Sequence, residues 1–486
     1  MMDRRVFIAG AATALAAPFV IVKANADTPR LRRDVQSLDP SDPFFSKYAD
    51  AVRKMHDLPP GDPRNWRNQA LIHINHCPHS AQTFVHWHRH YILNFELICG
   101  ALIGDASFAL PYWNWSAKNG IIPDPFYDID RLNVQFWNDP SNAQSDNWSP
   151  DQVTTIGIRT LPKGQGLEDD PDAGQMFTQD FIDGIKQSSR FAIFTQQLEG
   201  SPHNNGHVIT GGGTGHMGNG MSPLDPIFWL HHCNIDRIWA EWQTAQNTTP
   251  PFNLTYDNQF VDGAGQPVTG ASSASSLNFA AMNYSYDTLT GPVVAQQIDR
   301  LGLQGIRPTS VQLPPAAVAE PQVLGVNATP QTVKPATATT FTLAAKELRT
   351  NLFRERSFMA TSAPTVPRVA TGTGRIFAKL SDVSAPAENT PLICKVFVNC
   401  SYLEPTTKST DPLCAGSFSF FGSHGQAHGH LIYYVDVSGP LHVLFGHGAI
   451  DPEKVNIQLM AVLARGATGA AADTGFKVGK VELIST

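Results

Sequence analysis

The spacing of apolar positions changes partway along this chain. From about residue 40 to 245 they recur at helical spacing, in segments separated by long loops rich in Pro, Asp and Gly. Two segments stand out: His88 to Ile103, where Tyr91, Ile92, Phe95 and Cys99 share a face, and Asp225 to Gln246, which contains Ile235-Asp236-Arg237-Ile238-Trp239. Residues 140 to 175, dominated by Asn, Asp, Pro and Gly, predict surface loop. Between 290 and 340 Pro, Val, Ala and Thr follow no helical period, which predicts an extended linker. Beyond 340 the period shortens to two, as in Phe341-Thr342-Leu343, Cys394-Lys395-Val396-Phe397-Val398, Leu431-Ile432-Tyr433-Tyr434-Val435 and Val455-Asn456-Ile457-Gln458-Leu459. Short alternating strands with turn residues between them predict a β-sandwich. The expected order is a mainly α domain, a linker over 291–340 and an all-β domain over 341–486.

The N-terminus adds an address. Asp3-Arg4-Arg5-Val6-Phe7-Ile8, an Ala-rich apolar stretch and the small-x-small site Ala24-Asn25-Ala26 read as a twin-arginine export signal over 1–26. The helical domain then spans 27–290, and the mature protein is expected in the periplasm or secreted. Losing Arg4, Arg5, Lys23 and Asp3 takes the formal charge from −7 to about −9. With 486 residues, 42% of them apolar and 16% charged, the chain can bury a large core, which excludes disordered, collagenous and coiled-coil classes. A negative chain without a basic run argues against nucleic acid as a partner. No apolar run after the signal approaches the roughly 18 residues of a membrane span, so no membrane anchor is expected in the mature form. Six cysteines are too sparse for a disulfide scaffold, although export would permit a bond among Cys394, Cys400 and Cys414.

Histidine is the uneven residue. Of 17, 12 lie between His56 and His232 and five between His424 and His447. The first cluster runs through Ile72-His73-Ile74-Asn75-His76-Cys77-Pro78-His79 and Val85-His86-Trp87-His88-Arg89-His90-Tyr91. A second holds Pro202-His203-Asn204-Asn205-Gly206-His207 and His231-His232-Cys233-Asn234-Ile235-Asp236. His203 and His207, four apart, face the same way on a helix and can share one ion. Two groups of three or more histidines point to metal. Imidazole suits Zn, Cu, Fe or Ni, but no Glu-x-x-His or 2-His-1-carboxylate pattern argues for iron. Zinc on three histidines remains a reading for a single site, whereas two such sites without bridging carboxylates suit a redox pair of copper ions.

These residues resemble the tyrosinase, catechol oxidase and haemocyanin family of coupled binuclear copper proteins. Asp62-Pro63-Arg64-Asn65-Trp66 with Gln69-Ala70-x-Ile72-His73 is similar to the approach to the first copper-A ligand in plant and bacterial polyphenol oxidases. Cys77-Pro78-His79 resembles the Cys-x-His of fungal tyrosinases, whose cysteine carries a thioether to the histidine. Trp87-His88-Arg89-x-Tyr91, with Glu96, resembles the copper-A helix. Leu198 to His207 and Asp225 to Arg237 match the copper-B motifs, and Tyr284-Ser285-Tyr286 resembles the Tyr-x-Tyr that closes the plant catalytic domain. Pro111-Tyr112-Trp113-Asn114-Trp115 departs from its motif, which has Asp at the position of Asn114. Ala415-Gly416-Ser417-Phe418, His424 to His430 and Gly479-Lys480-Val481 resemble the last domain of plant polyphenol oxidases, so this is read as a bacterial chain with a plant-like C-terminal domain.

The resemblance implies a four-helix bundle around a dicopper site, with long loops, followed by a β-sandwich cap. It assigns His73, His79 and His88 to copper A and His203, His207 and His232 to copper B, with O2 as co-substrate. Helical phase alone does not choose between His231 and His232, and His56 competes with His73 through His56-Asp57-Leu58-Pro59. His76, His86, His90 and His216 match no ligand position, and the five late histidines are expected to be surface or structural. Glu199 and Asn204 match residues that hold a water taking the phenol proton, and Phe228 an aromatic that stacks on substrate or gates entry. Cys77 would orient His79. The activity implied is oxidation of o-diphenols to o-quinones, with ortho-hydroxylation of monophenols, on small phenolic substrates. A catechol oxidase without monophenolase activity and a haemocyanin-like O2-binding protein are the alternatives. The cap implies a latent proenzyme, an activating protease, and a plug at Leu413 or a neighbour just before Ala415.

Overall fold

The computed structural model describes residues 29–138, 158–246, 252–289, 320–348, 350, 374–386, 390–422, 431–467 and 475–486. The export signal, residues 291–319 of the linker, residues 140–157 of the predicted loop, and His424, His428 and His430 lie outside the described residues.

A short strand β1 (Arg30–Arg32) precedes helices α1 (Pro43–Asp57), α2 (Trp66–His76) and α3 (Phe84–Ile103). Asp42 and Asn65 cap α1 and α2 by accepting from Phe44 N and Arg67 N, and Pro43 occupies the first turn of α1, where its missing N–H costs nothing. Two short helices, α4 (Pro125–Asp128) and α5 (Val134–Asn138), and then α6 (Gln179–Lys186) lead to α7 (Phe191–Leu198). A π-helical turn, Glu199–His203, joins α7 to α8 (Asn204–Gly211) and contains Pro202, which has no N–H to donate to a regular α ladder. Helix α9 (Ile227–Gln246) and strand β2 (Tyr284–Tyr286), parallel to β1, complete the domain. Helix α3 starts four residues before the predicted His88, because His86, His88 and His90 read as polar yet are all buried.

A buried ionic network ties these elements together. Arg30 and Arg32 each donate to Glu96 of α3, at 2.8 and 2.9 Å, while Arg32 and Arg89 donate to Asp236 of α9 at 3.1 and 2.5 Å. The hydroxyls of Tyr284 and Tyr286 donate to the same Asp236 carboxylate, at 2.7 and 2.6 Å. Arg159 clamps Asp225 in bidentate fashion at the head of α9. Asn114 Nδ2 donates to Asp34 at 2.9 Å, so the motif's usual Asp would set two carboxylates against each other there.

The sandwich comprises β3 (Gln322–Asn327), β4 (Gln331–Val333), β5 (Thr339–Leu343), β6 (Ile376–Val383), β7 (Leu392–Val398), β8 (Cys414–Ser419), β9 (Leu431–Asp436), helix α10 (Ser438–Gly446), β10 (Val455–Leu463), β11 (Phe476–Val478) and β12 (Lys480–Ser485). One sheet has the order β5-β10-β7-β8 and the other β3-β12-β6-β9, all paired antiparallel. Strands β3 and β4 fall inside the stretch expected to be linker. As an edge strand β3 buries only Leu324 and Gly325, too few positions to show a period of two.

The sandwich lies against the helical domain. Lys395 Nζ, fully buried, donates to Asp172 at 2.6 Å. Ser201 Oγ donates to the Ser417 carbonyl at 2.7 Å, and Asn204 Nδ2 to that of Ser419 at 2.9 Å. Ile393 and Phe421 belong to the same apolar core as the helices.

Candidate metal centre

The structure gathers the predicted histidines into two buried groups. His73 on α2, Cys77 at its end, His79 in the following loop and His88 on α3 place one donor atom each within 4.8 Å of one another; His203, His207, His231 and His232 do the same. The groups adjoin, since the rings of His88 and His232 lie 4.2 Å apart and nearly parallel, and those of His79 and His203 6.0 Å apart.

Hydrogen bonding orients the rings. Nδ1 of His73 donates to the Gly220 carbonyl at 2.8 Å, that of His88 to Phe84 at 2.9 Å and that of His207 to Met217 at 2.8 Å. A carbonyl only accepts, so the proton sits on Nδ1 and Nε2 presents a lone pair. Nδ1 of His203 meets Asn204 Oδ1 at 2.8 Å. Nε2 of His73 and of His203 is buried without a protein partner, and Nε2 of His207 faces Nε2 of His232 at 3.4 Å. Converging buried nitrogens without protein partners are unfavourable unless a cation lies among them. Burial pushes the His73 imidazole down to about 4 and holds His79, His88, His203, His207 and His232 well below the ordinary range, with neighbouring imidazoles adding to the effect at these five. All are therefore neutral near pH 7, the state that binds metal. The donor set fits two copper ions.

Around the groups, Cys77 Sγ lies 3.5 Å from His79 Nε2 and 3.4 Å from His88 Nε2. Glu199 is buried, accepts from Ser80 N–H through one oxygen and leaves the other unpartnered; burial pushes its carboxyl up to about 8, against that hydrogen bond. Phe228 is fully buried, its ring 4.2 Å from His232 and 5.2 Å from His73. His232 stacks beside His88, whereas His231 packs against Trp115 and Gly206 with its ring 4.7 Å from that of His207, so both belong to the second group. His56 belongs to neither group and stacks on Trp137 at 3.6 Å. His86 bonds Ser276 at 2.6 Å and His90 bonds Ser272 at 3.0 Å, while His76 is exposed.

The cap contributes what the motifs did not foresee. Phe421, in the turn after β8, lies flat on His207 at 3.6 Å and 3°, and its ring also meets those of His73, His79 and His203. The expected plug at Leu413 is thereby corrected: Leu413 packs within the sandwich, beside Phe397 and Cys400, and the chain reaches the centre only at the far end of β8. Gly422, at φ +73°, rests so close to His79 that any side chain would overlap the imidazole.

The sequence profile of the common central domain of tyrosinase matches residues 47–245. A tyrosinase of Streptomyces glaucescens is 33% identical over 227 residues, 43% of this chain and 80% of that protein. The chain belongs to the tyrosinase family. A chloroplastic polyphenol oxidase of Malus domestica is 30% identical over 247 residues, 44% of this chain, and the match spans only 40% of that relative's length. A latent aurone synthase (polyphenol oxidase) structure superposes on 95% of this chain, and on 90% of its own, with a TM-score of 0.58 at 19% identity, which extends the likeness of fold through the sandwich. Among the described residues, no helix is long and apolar enough to cross a membrane.

Proposed function

We propose that this tyrosinase-family chain is a polyphenol oxidase that uses O2 to convert o-diphenols to o-quinones and to hydroxylate monophenols at the ortho position. The observation that carries this reading is the pair of adjoining buried imidazole groups, in which His73, His88 and His207 turn Nδ1 outward to carbonyls and Nε2 inward. His73, His79 and His88 would hold copper A, and His203, His207 and His232 copper B. When bound, the two ions supply the redox chemistry that activates O2.

The remaining steps fall to the chain. A phenol, with a pKa near 10, must lose a proton to bind as phenolate. Glu199 is a buried carboxyl whose proton affinity is raised, so that its ionised form accepts a proton readily, and whose second oxygen, without a protein partner, would hold a water. Asn204 is the second holder of that water, and in the capped chain its amide is engaged by the Ser419 carbonyl. Cys77, touching His79 and His88, restrains both rings. Phe228 packs against ligand rings from within the core, which supports a role in positioning the site.

The flat seat of Phe421 on His207 is the place a phenolic ring would take to stack, and it supports a latent form that an activating protease opens. Export through the Arg4-Arg5 signal would carry the folded chain across the membrane. The test is O2 uptake with a catechol by the copper-loaded full chain. Phe421→Ala should raise the rate about tenfold or more, by the weight of one lost stacking and packing contact. An unchanged rate would remove Phe421 as plug, and two bound coppers with no turnover in the variant would favour the O2 carrier.

A further inference from the structure

Two of the carbonyls that aim the imidazoles belong to one short loop. Residues 211–220, Gly-Gly-Gly-Thr-Gly-His-Met-Gly-Asn-Gly, close α8 and lead toward α9. Met217 offers its carbonyl to Nδ1 of His207, in the second group, and Gly220 offers its own to Nδ1 of His73, in the first, both at 2.8 Å. His88 takes its orienting bond from Phe84 on its own helix and does not depend on the loop.

A stretch with six glycines in ten residues has a wide choice of backbone conformations, so it must be pinned before its carbonyls can aim a ring. Close approach supplies part of the hold. The loop doubles back so tightly that a Cβ on Gly211 would overlap Gly218 N, and one on Gly218 would overlap the Gly212 carbonyl. Gly215 N–H donates to the Gly211 carbonyl at 2.6 Å, and Gly218 N–H to that of Gly215 at 3.0 Å. Asn219 supplies a further tie. Its Oδ1 accepts from Met221 N–H at 2.8 Å and its Nδ2 donates to the Gly215 carbonyl at 3.4 Å. The segment that carries the Met217 and Gly220 carbonyls is thus fastened at both ends by one side chain.

We infer that Asn219 is a positioning residue shared by the two metal groups: it fixes the 211–220 loop and, through the Met217 and Gly220 carbonyls, the ring orientation of His207 and His73 together. Its consequence for copper rests on the two-copper reading, whereas its consequence for the rings does not.

The experiment uses the full chain with ¹⁵N-labelled histidine, freed of metal, in which the ring nitrogen shifts report which atom of each imidazole carries the proton. In the unaltered chain His73, His88 and His207 should all be protonated on Nδ1. Asn219→Ala should turn the His73 and His207 signals into averages of two tautomers and leave His88 as it was. Both copper equivalents should then bind about tenfold or more weakly than in the unaltered chain. Asn219→Asp keeps an acceptor for Met221 N–H and should restore both rings. Mixed tautomers in the unaltered chain overturn the inference. So does an Asn219→Ala chain in which neither ring changes, only one changes, or His88 changes with them, and so does an Asn219→Asp chain that restores nothing. An unaltered chain with the expected rings that binds fewer than two copper ions overturns the two-copper reading instead.

Discussion

His73, His88 and His207 arrive at the centre already aimed, because each donates Nδ1 to a backbone carbonyl that belongs to a different segment or turn. Orientation set in this way does not wait for a metal ion. Glu199 is the most exacting residue beside them, a buried carboxyl with one unpartnered oxygen. Replacing it with Gln keeps the Ser80 contact and removes the proton acceptor. Glu199→Gln should therefore cut monophenol turnover by about 10²-fold or more while diphenol turnover falls less, because the second substrate places a lighter demand on the base. Steady-state rates on one monophenol and its diphenol decide it, and equal losses on both would end the assignment. At this scale most of the site was legible, since the Cys-x-His, Trp-His-Arg and Pro-His-Asn-x-x-His patterns each named their histidines. The choice between His231 and His232 was not legible in helical phase. The fold keeps both in the second group, His232 beside His88 and His231 against Trp113 and Trp115.

Two elements do most to hold that geometry. The π turn at Glu199–His203 widens the helix where Pro202 lacks a donor, and it lets one continuous stretch carry Glu199, His203 and His207 to the same centre. Helix α9 is anchored by Asp236. Burial alone would raise that carboxyl, yet Arg89 and Arg32 hold it below the usual range, so it stays charged between two guanidiniums. Removing the carboxylate leaves Arg89 buried without a counter-charge and Arg32 with Glu96 alone. Asp236→Ala should destabilise the chain by about 3–5 kcal/mol, read as a lower denaturation midpoint with unchanged slope. A loss within the error of a surface substitution would show the network to be dispensable. The existence of α3 and α9 was evident from apolar spacing, but their function was hidden in the polar positions. Histidines and arginines occupy faces that periodicity assigns to solvent, and here those faces point inward.

Burial of so many neutral imidazoles gives the whole molecule an acid limit. His86, outside both metal groups, is pushed from 6.5 down to about 3, first by burial and then by Arg89, with only the Ser273 carbonyl opposing. An unfolded chain takes up the proton below pH 6.5 and the folded one does not, so this group's stability is complete above 6.5 and declines as pH falls toward 3. In metal-free protein, His86→Gln should flatten the fall of Tm across that window. An identical slope in both chains would mean His86 is not neutral in the fold. The cap is the other property of the whole molecule, because Phe421 joins the helical core from a turn more than two hundred residues distant from His207. By itself the sequence determined the chemistry, the two-part architecture and the ligand candidates, since metal sites need particular side chains at short, recognisable spacings. Only the tertiary structure decided which ring covers the centre and which carbonyls aim the imidazoles. Those are contacts between segments remote in the chain, and no local spacing records them.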